Sequence, residues 1–267
     1  MKILSLNAWG GKLGAPLIDF LKAEEADVLC LQEMVHTPTT RKEWLTYRDG
    51  DHVLPQRTNL FAELTAALPD HAGTFCPTSQ GELWDDGAAV PSQFGIATFV
   101  RRSLPIIGQV QGFVHKEYSP DGYGEHPRPR NAHVVRIHDA ARSRVVTVGH
   151  MHGLRDLEAG KADTPERLAQ ARALARLVSV VAEPGDAIVV CGDFNVEPAS
   201  ATFAVLAEAG LEELVRRYGI AGTRTSHYAK PGRYADYMLV NDRVDVQAFA
   251  VVTTPEVSGH CPLVLAF

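Results

Sequence analysis

Apolar and polar positions along this chain fall into short runs, and many of the apolar runs end on a chemically reactive side chain. Lys2 to Leu6 has the character of a strand and stops at Asn7, after which Trp9-Gly10-Gly11 is loop chemistry. Leu17, Ile18 and Leu21 recur at helical spacing within Pro16 to Ala26, and a second strand, Asp27 to Leu31, stops at Gln32-Glu33. Thr37 to Asp51 is polar with no clean period and reads as a long loop or a peripheral helix. Leu60 to Leu68 reads as a helix and Phe94 to Val100 as a strand, and Tyr118 to Pro129 is a Gly/Pro-rich exposed loop. His133 to Ile137 and Arg144 to Val148 pair as antiparallel strands around a turn at Asp139 to Ser143, the second running on into Gly149-His150-Met151-His152.

Asp163-Thr164-Pro165-Glu166 is a helix start, with a capping side chain and proline at the first helical position. Leu168, Ala171, Leu174, Leu177, Val178 and Val181 give that helix its apolar stripe, and Pro184-Gly185 stops it. The strand Ala187 to Val190 then leads into Cys191-Gly192-Asp193-Phe194-Asn195. A helix near Thr202 to Ala209 follows, with strands at Tyr234 to Val240, Val244 to Val251 and Leu263 to Phe267. Hairpin-like strand pairs mixed with helices in both halves predict an α/β sandwich, with sheets packed in the centre and helices outside. A doubly wound nucleotide-binding fold fits less well, because Asn7-Ala8-Trp9-Gly10-Gly11 lacks the glycine fingerprint. No linker, composition shift or repeat interrupts the chain, so one domain over residues 1–267 is expected.

Composition narrows the chemistry. With 267 residues, 45% of them hydrophobic, the chain can bury a sizeable core. A net charge of -6 argues against coating nucleic acid through a broad basic face, but not against approaching one phosphate through a metal ion. Cys30, Cys76, Cys191 and Cys261 have no CxxC spacing and suggest neither a zinc knuckle nor a disulfide framework; two of them follow β-type apolar runs and read as buried free thiols, which fits a reducing compartment. The N-terminus turns polar too soon for a signal peptide, and no apolar run spans a membrane. The expectation is a cytoplasmic protein with no membrane insertion and no obligate protein partner.

The reactive run ends form the candidate site. Asp193 and Asn195 are two positions apart, which on a strand aims both the same way and suits placing a water and donating to a ligand; the same spacing is also that of a simple Asx turn. Glu33 ends a buried-type strand, where a carboxylate is either at the surface or on a metal. His150 and His152 at strand spacing are either a polar strand end or a chelating pair. Asp236 opens one apolar run and His260 precedes the last.

The order of these elements resembles the endonuclease/exonuclease/phosphatase superfamily, the deoxyribonuclease I-like fold, almost end to end. Leu6-Asn7, Leu31-Gln32-Glu33, Gly192-Asp193-Phe194-Asn195, Asp236-Tyr237 and Ser258-Gly259-His260-Cys261-Pro262 match its motifs in order. The resemblance implies a four-layer α/β/β/α sandwich and a divalent-metal-dependent phosphodiesterase or phosphatase acting on nucleic acid or a small phosphorylated substrate. By position, Glu33 resembles the principal ligand of Mg²⁺ or Mn²⁺, with Asn7 beside it. Asp193 resembles the group that orients or deprotonates the attacking water, and Asn195 the donor beside it. His260 resembles the histidine on the scissile phosphate, with Asp236 fixing its tautomer and raising its pKa. A further phosphate-facing histidine is expected at His152, whose His152-Gly153-Leu154 matches bacterial members, with His150 as the alternative.

One departure stands out. The terminal motif usually reads Ser-Asp-His, and here Gly259 replaces an acid that contributes to the metal environment. This opens a second reading, a catalytically weakened member that binds a phosphorylated ligand. A third is a zinc hydrolase built on His150 and His152. The only basic cluster visible in the sequence is His126, Arg128, Arg130 and His133; Arg130 is the candidate grip on a substrate phosphate.

Overall fold

The computed structural model describes residues 1–267. In chain order its elements are β1 (Lys2–Asn7), α1 (Ala15–Ala23), β2 (Val28–His36), β3 (Trp44–Asp49), β4 (His52–Arg57), α2 (Leu60–Ala67), β5 (His71–Asp85), β6 (Ala88–Arg101), β7 (Ile106–His115), β8 (Arg130–Asp139) and β9 (Arg144–His152). Then follow α3 (Pro165–Val181), β10 (Ala187–Asp193), α4 (Thr202–Glu208), β11 (Glu212–Glu213), α5 (Leu214–Arg217), β12 (Asp236–Val240), β13 (Ala248–Val251) and β14 (Leu263–Ala266). They build an eight-stranded sheet, β13-β14-β1-β2-β6-β5-β3-β4, and a six-stranded sheet, β11-β12-β10-β9-β8-β7.

Side-chain alternation makes the layers. In β2, Val28 and Cys30 join the core between the sheets, while Leu29 and Leu31 join a second core shared with Leu17 and Leu21 of α1 and Leu60 and Leu64 of α2. α3 packs on the other sheet through Ala171, Leu174 and Val178. Both faces of each central strand are therefore buried, which is why those strands read as unbroken apolar runs. The helix start expected at Asp163–Glu166 is present: Thr164 accepts a hydrogen bond from the Arg167 N–H and Pro165 takes the first helical position. All four cysteines are buried and free. No helix is long and apolar enough to cross a membrane.

Three expectations need correction. Thr37 to Asp51 is neither loop nor helix over its second half, since β3 lies there and forms a hairpin with β4. Phe94 to Val100 is only the inner end of a long β5–β6 hairpin, whose strands span 15 and 14 residues. The strand expected from Val244 begins only at Ala248.

Between the sheets lies a short polar chain. His133 Nδ1 meets Thr98 Oγ1 at 2.6 Å, the same hydroxyl meets His150 Nε2 at 2.8 Å, and His150 Nδ1 meets Gln32 Nε2 at 3.2 Å. Burial holds His133 down to about 4. The neutral ring is the form the fold accommodates, so stability is complete above the unfolded value of about 6.5 and is lost as pH falls below it. From these values His133 alone costs about 2 kcal/mol at about pH 5. Urea unfolding of wild type and His133→Gln at neutral and mildly acidic pH should show a shallower pH slope in the variant; an unchanged slope would remove His133 as the cause.

Candidate active site

Each sheet contains one parallel strand pair in an otherwise antiparallel order, and these pairs fix where the site lies. β1 runs parallel to β2 with Asn7 opposite Gln32, and β9 runs parallel to β10 with His152 opposite Asp193. β12 runs antiparallel to β10 with Asp236 opposite Asp193. His152, Asp193 and Asp236 thus form a row across three neighbouring strands. Asn7 and Glu33 approach this row from the other sheet: the Asn7 amide nitrogen donates to Glu33 Oε1 at 3.0 Å and to Asp193 Oδ2 at 2.9 Å.

Local irregularities aim these groups. A bulge between Leu31 and Met34 puts Glu33 at φ 53° and redirects its side chain. Gly192 has φ 133°, and a Cβ there would lie 2.1 Å from the Met151 carbonyl oxygen, so only glycine lets β10 approach β9 this closely. Asn195 lies beyond the end of β10 at φ 55°, and its N–H donates to Asp193 Oδ1 at 3.0 Å. The pair is therefore an Asx turn rather than two side chains on one strand face, and the turn itself carries Asn195 into the cleft. The Asn195 amide nitrogen and the Arg130 Nε both donate to the Gly153 carbonyl, at 3.3 and 2.9 Å.

His260 sits beside Asp236, its Nδ1 2.9 and 2.8 Å from the two carboxylate oxygens, and 3.8 Å from Asp193 Oδ2. Its Nε2 contacts the Arg224 guanidinium. A guanidinium only donates, so Nε2 accepts and the ring proton lies on Nδ1, facing Asp236. Ser258 holds the motif in place, donating to the Asn7 carbonyl at 2.6 Å and accepting the His260 N–H at 3.3 Å. The expected rise in the His260 pKa is not what this site gives. Burial lowers the imidazole to about 4 and raises the Asp236 carboxyl to about 7, both acting against separated charge in a dry site. Burial, with Arg130 and His260 nearby, also lowers His152, so that ring is neutral.

The site floors a cleft of about 550 Å³ lined by Glu33, Arg130, His152, Asp193, Asn195 and His260. His150 does not line it. Both its ring nitrogens are engaged by Gln32 and Thr98, which leaves none to chelate a metal beside His152. His133, expected with the basic loop, is likewise buried between the sheets. The sequence reading missed other cations: the cleft lining contains eight Lys or Arg against four Asp or Glu, including Arg155, Lys161 and Arg224. In a chain of net charge -6 this is a local reversal of sign. Arg224 joins His260 through an isolated bridge between distant segments, a pairing with no local sequence signal.

The donor set suits a hard cation. Glu33 and Asp193 have no Lys or Arg partner; their neighbours are a neutral amide and the neutral His152, whose Nε2 is 3.9 and 3.8 Å away. That leaves uncompensated carboxylate charge at the cleft floor, with oxygen ligands of the kind Mg²⁺ and Mn²⁺ take. Asp193, Asp236 and His260 also bring ligand atoms within 4.8 Å of one another, but a cation there would break the Asp236–His260 bond.

Three solved structures share the fold across nearly the whole chain. A Bacteroides thetaiotaomicron mannosyl-6-phosphatase is 13% identical, with a TM-score of 0.69 over 100% of this chain and 98% of its own. The human Nocturnin catalytic domain with bound sulfate is 16% identical, with a TM-score of 0.68 over 99% of this chain and 92% of its own. An endonuclease/exonuclease/phosphatase from Beutenbergia cavernae is 19% identical, with a TM-score of 0.66 over 99% of this chain and 70% of its own. No curated protein matches in sequence. The profile described as Endonuclease/Exonuclease/phosphatase family matches residues 4–260, and the chain, with its two mixed sheets and flanking helices, belongs to that family of phosphoester hydrolases.

Proposed function

We propose that this chain, acting as one domain, is a divalent-metal-dependent phosphoester hydrolase whose centre is the cluster of Asn7, Glu33, His152, Asp193, Asn195, Asp236 and His260. The observation that carries this reading is the convergence of strand ends from both sheets on two carboxylates without a cationic partner, in a cleft whose walls are basic. Glu33 would be the principal ligand of Mg²⁺ or Mn²⁺, with Asn7 beside it. When bound, the ion supplies neutralisation of phosphoryl charge.

The side chains divide the remaining work. Asp193 is held on both oxygens, by Asn7 and by the Asn195 N–H, so its carboxylate has a fixed direction in which to orient a water and accept its proton. Asn195 offers its amide to the same water or to a phosphoryl oxygen. The water oxygen bonds to phosphorus as its proton passes to Asp193, the ester P–O bond breaks, and the leaving oxygen takes a proton from solvent. His152, neutral and buried, donates to a phosphoryl oxygen without bringing a competing charge. At His260 the Nδ1–H is anchored on Asp236, and Nε2, which accepts from Arg224 in the free site, turns to the phosphate once that guanidinium moves aside. Negative charge arriving there opposes the effect of burial and favours the imidazolium, whose second proton stabilises the developing charge.

Metal dependence is the test. Glu33→Gln should raise the Mg²⁺ concentration for half-maximal activity by about 10-fold or more, the size of effect expected when a ligand shell is damaged. Titration of metal-stripped protein measures it, and an unchanged midpoint would move the metal away from Glu33.

A further inference from the structure

Three guanidinium groups in the cleft, those of Arg130, Arg155 and Arg224, form no salt bridge, and two of them, Arg130 and Arg224, bond directly to residues of the cluster or their neighbours. Arg130 is almost fully buried, spends its Nε on the Gly153 carbonyl at 2.9 Å and one terminal nitrogen on the Pro129 carbonyl at 3.1 Å, and leaves its other terminal nitrogen without an acceptor. Arg224 lies over the Tyr228 ring at 4.5 Å, its Nε is buried and unpaired, and one terminal nitrogen rests on His260 Nε2. A guanidinium set against an imidazole lone pair is a weak substitute for a salt bridge, and holding one such cation buried and a second half-buried without a salt bridge is costly. Both act through charge on His152: Arg130 bonds the Gly153 carbonyl next to that ring, and Arg224 rests on His260. Neither forms a salt bridge, and the histidines beside them are the two to which the hydrolase reading gives the phosphate.

Hydrogen bonds and aromatic packing link the walls of the cleft to one another. Gln56 of β4 donates to the Gly10 carbonyl at 2.9 Å, joining the β3–β4 hairpin to the turn after β1. On its other side Asp49 of β3 accepts from Arg128 at 2.7 Å, and Tyr47 packs against Tyr123 with ring centroids 5.7 Å apart, joining the hairpin to the Gly/Pro-rich loop. Lys161 donates to the Gly232 carbonyl at 2.8 Å and closes the far wall. A cup of about 550 Å³ with linked walls holds a small molecule. A duplex presenting a continuous backbone needs an open groove.

We propose that Arg130 and Arg224 form a two-guanidinium clamp that selects the terminal phosphate of a small monoester over the phosphate of a diester. A monoester phosphate carries about 1.5 to 2 negative charges near neutral pH, enough to engage both cations, whereas a diester carries a single charge. Arg224 leaves Nε2 of His260 as the phosphate enters, so one movement frees the imidazole and delivers the guanidinium. This selection rests on the hydrolase reading, but its binding component does not depend on turnover.

The test compares wild type, Arg224→Ala, Arg224→Gln and Arg224→Lys on 4-nitrophenyl phosphate and bis(4-nitrophenyl) phosphate with Mg²⁺, alongside calorimetric titration with inorganic phosphate and dimethyl phosphate at mildly alkaline pH. Wild type should favour the monoester, and Arg224→Ala should lose about 100-fold in kcat/KM on the monoester but under about fivefold on the diester. Arg224→Gln should follow Arg224→Ala, and Arg224→Lys should recover part of the loss, because it restores charge without the fork. Inorganic phosphate should bind wild type more tightly than dimethyl phosphate and lose that advantage in Arg224→Ala. Equal losses on both esters, a wild-type preference for the diester, or equal binding of the two anions would overturn the clamp. If wild type hydrolyses neither ester, the hydrolase reading fails and calorimetry alone decides the clamp: phosphate binding lost in Arg224→Ala sustains it, and binding retained overturns it.

Discussion

Replacing Asp193 with asparagine is expected to lower metal-dependent phosphoester hydrolysis by about 10³-fold, as removal of a positioned base and its charge does in other sites. The change keeps the size of the side chain and leaves an oxygen able to accept from the Asn195 N–H, so the Asx turn survives. What is lost is the group proposed to take the proton of the attacking water. Stability should change little, because removing a buried carboxylate with no Lys or Arg partner relieves charge repulsion with Glu33 while the new NH₂ can no longer accept from the Asn7 amide. Steady-state rates together with thermal melting separate these effects: activity lost with an unchanged or higher melting temperature supports the role, and equal loss of both would mark a folding defect. His260→Ala should resemble it in rate.

Restoring the acid at position 259 should have the next largest effect, in the opposite direction. Gly259→Asp is expected to tighten the apparent affinity for Mg²⁺ by about 10-fold to 100-fold, the range over which supporting residues tune metal sites. The backbone allows it. The nearest atoms to a Cβ at Gly259 would be those of the Trp9 ring, at 3.5 to 3.7 Å, an ordinary contact that forces no shift. The rest of the motif is already in place, with Ser258 bonded to the Asn7 carbonyl and His260 to Asp236. A new carboxylate would therefore add charge beside an assembled site. A large gain in Mg²⁺ affinity or rate identifies the natural chain as a weakened member of its family; no change shows that Glu33, Asn7 and Asp193 suffice.

Much of the site was legible in the sequence because its residues stand where buried strands stop. Asn7, Glu33, His152, Asp193, Asp236 and His260 each border an apolar run, and the sheets carry those borders to one edge. Asn195 was found for the wrong reason, since it reaches the cleft through a left-handed turn and not by strand alternation. The β3–β4 hairpin escaped notice because it lies at the edge of its sheet with few buried positions and contains Pro55, so neither face writes an apolar pattern. The outer half of the β5–β6 hairpin and β7 are diluted by glycine and polar residues in the same way. His150 and His133 looked chemical and proved structural, because a histidine bonded between two sheets leaves the same trace in a sequence as one facing a cleft. Arg224 left no trace at all; its meaning comes from a neighbour 36 positions away.

The central claim is that two carboxylates joined through Asn7 hold a divalent cation for phosphoester hydrolysis. The most direct measurement is phosphate release from a small phosphoester by metal-stripped wild-type protein as Mg²⁺ or Mn²⁺ is added back, with Asp193→Asn run beside it. Turnover should be absent without the ion, saturable with it, and almost nil in the variant. Turnover that is indifferent to the ion, or equal in the two proteins, would contradict it.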